Sequence, residues 1–159
     1  MKKVIIKSEF SLFKFEELDD VLKILVSKAI DATDNSYSPY SNFKVGAALQ
    51  LEDGTIVIGA NQENAAFSVT MCAERSAIFN AQSNHPDLAI TTIAIAAKNV
   101  NGLVHIPISP CGSCRQVILE MEQKYKRNIK ILLCGSEGIY VINSIKDLLP
   151  LSFVDESMR

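Results

Sequence analysis

Cys72-Ala73-Glu74-Arg75 and Pro110-Cys111-Gly112-Ser113-Cys114 are the two stretches that most restrict how this chain can fold. A Cys-x-x-Cys pair alone reads as a redox dithiol, a closed metal knuckle or a catalytic metal site. A further cysteine with a glutamate two residues on narrows that choice, because the fold must then bring residues 72–74 to residues 111–114. Three thiolates hold zinc in a tetrahedron and leave one position open to water, whereas a structural site fills all four. Zinc lowers the pKa of such a water toward neutrality, and Glu74 is close enough in sequence to handle its protons. Cys134 is a poor fourth ligand: it ends Ile131-Leu132-Leu133-Cys134, an apolar stretch expected in the core. His85, ahead of Pro86 in a polar turn, and His105, in a loop, read as surface groups.

The rest of the chain sets bounds around that centre. At 159 residues it is expected to form one domain with a sizeable core. A net charge of −2 provides no electrostatic footprint for nucleic acid. The one basic run, Lys124, Lys126, Arg127 and Lys130, reads as the solvated end of a helix. No apolar segment approaches the roughly 18 residues that would cross a bilayer, so no membrane partner is expected. Met1-Lys2-Lys3-Val4-Ile5-Ile6-Lys7 has too short an apolar run for a signal peptide, and a cytoplasmic protein is the expectation. In that reducing compartment the cysteines point to a metal or to catalysis before disulfides.

Hydrophobic spacing predicts an extended stretch over residues 4–15 and an amphipathic helix from Leu18 to about Thr33. Two strands, Phe43 to Leu51 and Thr55 to Ala60, are joined by the hairpin signal Glu52-Asp53-Gly54. After a loop from Asn61 to Met71, a helix begins near Cys72, and Thr91 to Ala97 reads as a buried strand. A turn at Asn99 to Gly102 and a loop to Pro110 lead into a second such helix, about Cys111 to Lys126. Strands at Ile129 to Cys134 and Ile139 to Ile142 follow. The expected fold is a three-layer α/β/α sandwich whose strands alternate with helices on both faces of one sheet.

Both cysteine motifs thus fall at helix N-termini, whose partial positive charge offsets the net −1 of zinc with three thiolates. Arg75 can add to this by donating hydrogen bonds to the thiolate sulfurs. Ahead of the first zinc helix, Asn61 and Glu63 alternate along the chain and can project a carboxamide and a carboxylate to one side. Such a pair suits a vicinal diol like that of ribose; the plainer reading is a strand-end cap and a solvated acid. Phe43, at a strand start, is either core or a platform for a flat ring.

With these motifs in place the chain resembles the cytidine deaminase family in its small, homotetrameric, three-cysteine form. The similarity runs through Pro39-Tyr40-Ser41-Asn42-Phe43-Lys44-Val45-Gly46-Ala47-Ala48-Leu49 and Asn61-Gln62-Glu63-Asn64-Ala65-Ala66-Phe67. It continues through Cys72 to Ile78, Ser109 to Val117 and Asp147-Leu148-Leu149-Pro150-Leu151-Ser152-Phe153. The resemblance implies a five-stranded mixed sheet, one Zn²⁺ per subunit on Cys72, Cys111 and Cys114, and Glu74 as proton shuttle. It implies Asn61 and Glu63 on the ribose, Phe43 against the pyrimidine, and backbone near Ala73 and Ser109 at the base edge. It also implies that Phe153 stacks on the base in a neighbouring subunit's site, within a homotetramer that shares its active sites. The implied reaction is deamination of cytidine and 2′-deoxycytidine in pyrimidine salvage. A blasticidin-type deaminase and a catalytically silent nucleoside sensor are the alternatives. Residues 1–16 would be an N-terminal extension and residues 154–159 a tail. Ser113, Phe67 and Val154-Asp155 depart from the family pattern, where Ala, Tyr and Gly-Pro are usual.

Overall fold

The computed structural model describes residues 1–158. In chain order it places β1 (Ser11–Phe13), α1 (Asp20–Ala32), β2 (Lys44–Leu51), β3 (Ile56–Ala60), α2 (Ala73–Asn84), β4 (Ile90–Asn99), β5 (Gly102–Leu103), α3 (Gly112–Tyr125), β6 (Lys130–Gly135) and β7 (Gly138–Ile142). Short 3-10 turns occupy several connections. Helix α1 starts on Asp19, whose carboxylate accepts the Leu22 N–H at 2.9 Å, and it buries Leu25, Val26, Ala29 and Ala32 at helical spacing. The β2–β3 hairpin turns at Gly54, where φ of +90° suits a residue without Cβ, and Asp53 accepts the Thr55 N–H at 2.9 Å.

The sheet is mixed and runs in the order β1-β7-β6-β4-β2-β3, with β5 paired to β4. Strands β4 and β6 are parallel, while β2–β3, β2–β4, β4–β5, β6–β7 and β1–β7 are antiparallel. Seven strands replace the five expected. The two additions are short and leave little hydrophobic signature. Ser11–Phe13 adds to the β7 edge through main-chain pairing while its Leu12 stays exposed. Gly102–Leu103 forms a two-residue ladder that starts at the last residue of the predicted turn. The expected strands and helices otherwise appear within a few residues of their predicted ends.

Side chains alternate between two apolar clusters, as a pleated sheet requires. Ala47, Leu49, Ile93, Ile95, Ile131 and Leu133 join α2 and α3 residues in one. Ala48, Ala94, Ala96, Leu132 and Cys134 join α1 residues in the other. Cys134 is therefore core, as the sequence indicates, and burial pushes its thiol up to about 12.

Two features fix the helices that matter for the site. A Cβ at Gly59 would lie 2.6 Å from the Ala73 carbonyl oxygen, so glycine in β3 lets the first turns of α2 sit directly on the sheet. At the far end of α3, the buried Glu122 carboxylate accepts the N–H groups of Ile129 and Ile145 at 2.9 and 3.1 Å and the Ser144 hydroxyl at 2.9 Å. That acid ties α3 to the start of β6 and to the segment that follows β7.

Candidate metal centre

Strands β3 and β4 both run antiparallel to β2, so they share one direction, and the chain leaves their carboxyl ends toward α2 and α3. Ligand sites in α/β sheets form at such strand ends. Cys72 is the N-cap of α2 and Cys111 the N-cap of α3, both with extended backbone, and Cys114 lies in the first turn of α3. An N-cap side chain ordinarily accepts a hydrogen bond from the first helical turn. Here neither cysteine does, and both sulfurs are left for another partner.

The Sγ atoms of Cys72 and Cys111 lie 3.8 Å apart and those of Cys111 and Cys114 3.5 Å, with all three within 4.8 Å of one another. Zinc–sulfur bonds of about 2.3 Å at tetrahedral angles put sulfurs about 3.8 Å apart, so the donor set fits one zinc ion. The thiols act on one another, and Cys114 is pushed above the ordinary thiol range, first by Cys72 and then by burial. Cys72 is held well below the ordinary thiol range, first by the Cys114 thiol and then by Arg75 and Cys111. Arg75 Nη2 lies 3.7 Å from Cys72 Sγ, and its buried Nε has no hydrogen-bond partner.

Glu74, in the first turn of α2, is 4 % exposed, and burial pushes its carboxyl above the usual carboxylate range. It lines a cavity of about 200 Å³ with Cys72, Ala73 and Cys111. Asn61 and Glu63 form the polar side of the same cavity, and Val45, Met71 and Ile108 its apolar walls. The structure therefore brings together the residues read from both cysteine motifs and from Asn61-Gln62-Glu63. It does not bring all the predicted contacts to that cavity. Phe43 is half-buried outside its lining, Ser109 is exposed with Ile108 at the wall instead, and Phe153 is 59 % exposed at the molecular surface.

Asn61 and Glu63 are already engaged. Asn61 Oδ1 accepts from Ser36 Oγ at 2.6 Å and from the Val45 N–H at 2.8 Å, and its Nδ2 donates to the Phe43 carbonyl at 3.0 Å. Glu63 accepts from the N–H groups of Tyr40 and Ser41 at 2.9 and 3.3 Å and from the Ser41 hydroxyl. The Ser41 hydroxyl, ahead of these amides, holds the Glu63 carboxyl below its ordinary value. One amide N–H on Asn61 and one lone pair on Glu63 remain, a donor and an acceptor side by side. Sequence reading did not single out Ser36 and Ser41 for these roles, since their partners lie 25 and 22 residues away and follow no local spacing. Ser36 lies in a stretch, residues 35–39, that is loop by composition, and Ser41 in the family-like stretch that begins at Pro39.

A mixed sheet with cysteines at two helix starts and an acid beside them defines a zinc-binding α/β protein of the deaminase kind. Residues 20–128 match the family described as the cytidine and deoxycytidylate deaminase zinc-binding region. The chain belongs to that family, and its cofactor is one Zn²⁺ at the three-cysteine cluster. It is 38 % identical over 137 residues to the cytidine deaminase of Halalkalibacterium halodurans, covering 86 % of this chain and 97 % of that one. The cytidine deaminase of Sporosarcina psychrophila is 39 % identical over 134 residues, covering 84 % and 92 %. The crystal structure of cytidine deaminase from Burkholderia pseudomallei superposes with a TM-score of 0.70 at 38 % identity, over 82 % of this chain and 97 % of that one.

Proposed function

We propose that this chain is a zinc-dependent hydrolase that converts cytidine and 2′-deoxycytidine to uridine and 2′-deoxyuridine with release of ammonia. The observation that carries this reading is the buried Glu74 in one cavity with the sulfur cluster and with Asn61 and Glu63. Zinc, held by Cys72, Cys111 and Cys114, supplies the Lewis acidity that makes a water nucleophilic near neutral pH. Glu74 takes a proton from the attacking water and delivers it to N3 of the pyrimidine, which makes C4 electrophilic. As the C4–O bond forms and the C4–N bond breaks, Glu74 carries the second proton to the exocyclic amine, which leaves as ammonia. One carboxylate serves throughout because each of these atoms comes within its hydrogen-bond reach.

The remaining donor on Asn61 and acceptor on Glu63 complement a sugar hydroxyl, which both accepts and donates. Arg75 steadies the Cys72 thiolate. Phe43, whose carbonyl is bound by Asn61, is assigned to the pyrimidine, and the backbone at Ala73 and Ser109 to the base edge. Phe153 is assigned to the site of a neighbouring subunit in a homotetramer, a reading supported by its exposure. Residues 1–159 are read as one domain with residues 1–16 as an extension and 154–159 as a tail. The layering is read as α1, sheet, then α2 with α3, supported by the alternation of the two apolar clusters. Among the described residues no helix is long and apolar enough to cross a membrane. A cytoplasmic role in pyrimidine salvage accords with the substrate class.

The test is turnover of cytidine, 2′-deoxycytidine, cytosine and blasticidin S by zinc-loaded protein, followed by ultraviolet absorbance. Both nucleosides should react and the free base should not. Activity on blasticidin S alone would keep the chemistry and replace the substrate. Failure with all four, in folded zinc-loaded protein, would leave a nucleoside sensor.

A further inference from the structure

Phe153 presents an exposed ring, yet the main chain around it is pinned on both sides. Leu148, Leu149 and Val154 pack against the core cluster beneath α2 and α3. Between them the strap turns through Leu151, at a φ of +57°. The first turns of α3 hold both ends of this strap. Arg115 Nη1 donates to the Leu148 carbonyl at 2.6 Å, and Gln116 Nε2 donates to the Phe153 carbonyl at 3.0 Å. Arg115 also reaches back, its Nε donating to the Pro110 carbonyl at 2.8 Å, one residue before the zinc ligand Cys111.

We propose that Arg115 and Gln116 are positioning residues that fix the Phe153 strap to the zinc-ligand loop, so the ring is offered to a neighbouring copy in one defined place. This rests on the assignment of Phe153 to a neighbouring subunit's site. The two side chains divide the work. The planar guanidinium of Arg115 bridges two carbonyls from segments far apart in the chain, a fork geometry that a lysine ammonium does not reproduce. Gln116 supplies a neutral donor at the carbonyl of the aromatic residue itself. An exposed aromatic held through its own main chain loses little freedom when it meets a partner, and that saving goes directly into affinity.

The experiment compares Gln116→Glu, Phe153→Ala and the double variant with the unaltered full-length protein, zinc-loaded for kinetics and cobalt-loaded for visible spectra. Uridine affinity is measured by calorimetry, so that a readout exists apart from turnover. Ionised glutamate has the size of glutamine but turns an acceptor toward the Phe153 carbonyl. Gln116→Glu should raise KM and the uridine Kd about tenfold with kcat within about twofold. The cobalt–thiolate spectrum, the oligomeric mass and Tm should stay as in the parent. Phe153→Ala should show a loss of the same kind, and the double variant should be no worse than Phe153→Ala alone. Arg115→Lys should raise KM as well and, through Pro110, shift the cobalt bands.

Additive losses in the double variant would overturn the proposal, because Gln116 would then act by a route other than Phe153. A harmful Phe153→Ala beside a neutral Gln116→Glu would also overturn it while leaving the role of Phe153 standing. If both single variants were neutral for uridine affinity and KM, the assignment of Phe153 and this proposal would fall together. A loss of Tm with unchanged KM and Kd would reduce both residues to structural supports and refute the proposal.

Discussion

Glu74 and Glu63 are two carboxylates in one cavity whose surroundings push them in opposite directions. Burial raises the first, while the Ser41 hydroxyl and two backbone amides lower the second. Glu74→Gln keeps the shape and removes the proton carrier, so kcat should fall by about 10²–10⁴-fold with zinc retained, as metal analysis and single-turnover assays would report. Glu63 gives a pH prediction. Its acid form is disfavoured, so it stays ionised to lower pH than a free glutamate, and its contact with the sugar should add no rise in the KM for cytidine from neutrality down to about pH 5. Ser41→Ala removes the largest lowering influence, and the rise of KM on acidification should then begin at higher pH. A pH–KM series on the two proteins checks the displacement. At this scale the cysteines and Glu74 were legible because their chemistry has fixed local spacing. Ser36, Ser41, Arg115 and Gln116 were not, because each acts on a main-chain or side-chain atom that only the folded chain brings near.

Elements long enough to show a period were readable, and short ones were not. The apolar stripe of α1 is plain in the sequence and is the face the helix buries, and the eight-residue β2 falls within the strand expected there. Strand β1 lies inside the extended stretch expected over residues 4–15, but only Ser11–Phe13 pair with β7, and main-chain pairing of that kind leaves no mark in side-chain pattern. The end of α3 shows the same gap between sequence and backbone. The basic run there was read as solvated. It is solvated, with Lys124, Lys126 and Arg127 exposed, and the backbone adds what spacing does not show. Lys124 bonds the Pro86 carbonyl at 3.2 Å and Gln82, Arg127 lies 3.7 Å from Glu52, and Lys126 closes the helix in the left-handed region at φ 51°. A Cβ there costs about 1 kcal/mol, which glycine avoids at some expense in unfolded-state entropy. Lys126→Gly should therefore raise stability by about 0.5–1 kcal/mol, visible as a higher midpoint in urea with unchanged activity.

For the whole molecule, binding and folding share one site. Anything that binds the native chain alone stabilises it, by about 2.7 kcal/mol at a free concentration one hundred times Kd. Chelation should accordingly lower Tm by several degrees and zinc should restore it, as calorimetry would show. The helix starts give this linkage a meaning beyond the reaction. Helix α1 begins on Asp19, whose side chain caps its own first turn, whereas the side chains of Cys72 and Cys111 cap neither α2 nor α3. Those two sulfurs are held together from outside the chain, by a metal the cell must import. A zinc-starved cell would then hold a protein that unfolds more often and is cleared sooner, so its abundance would follow metal supply without any dedicated regulator.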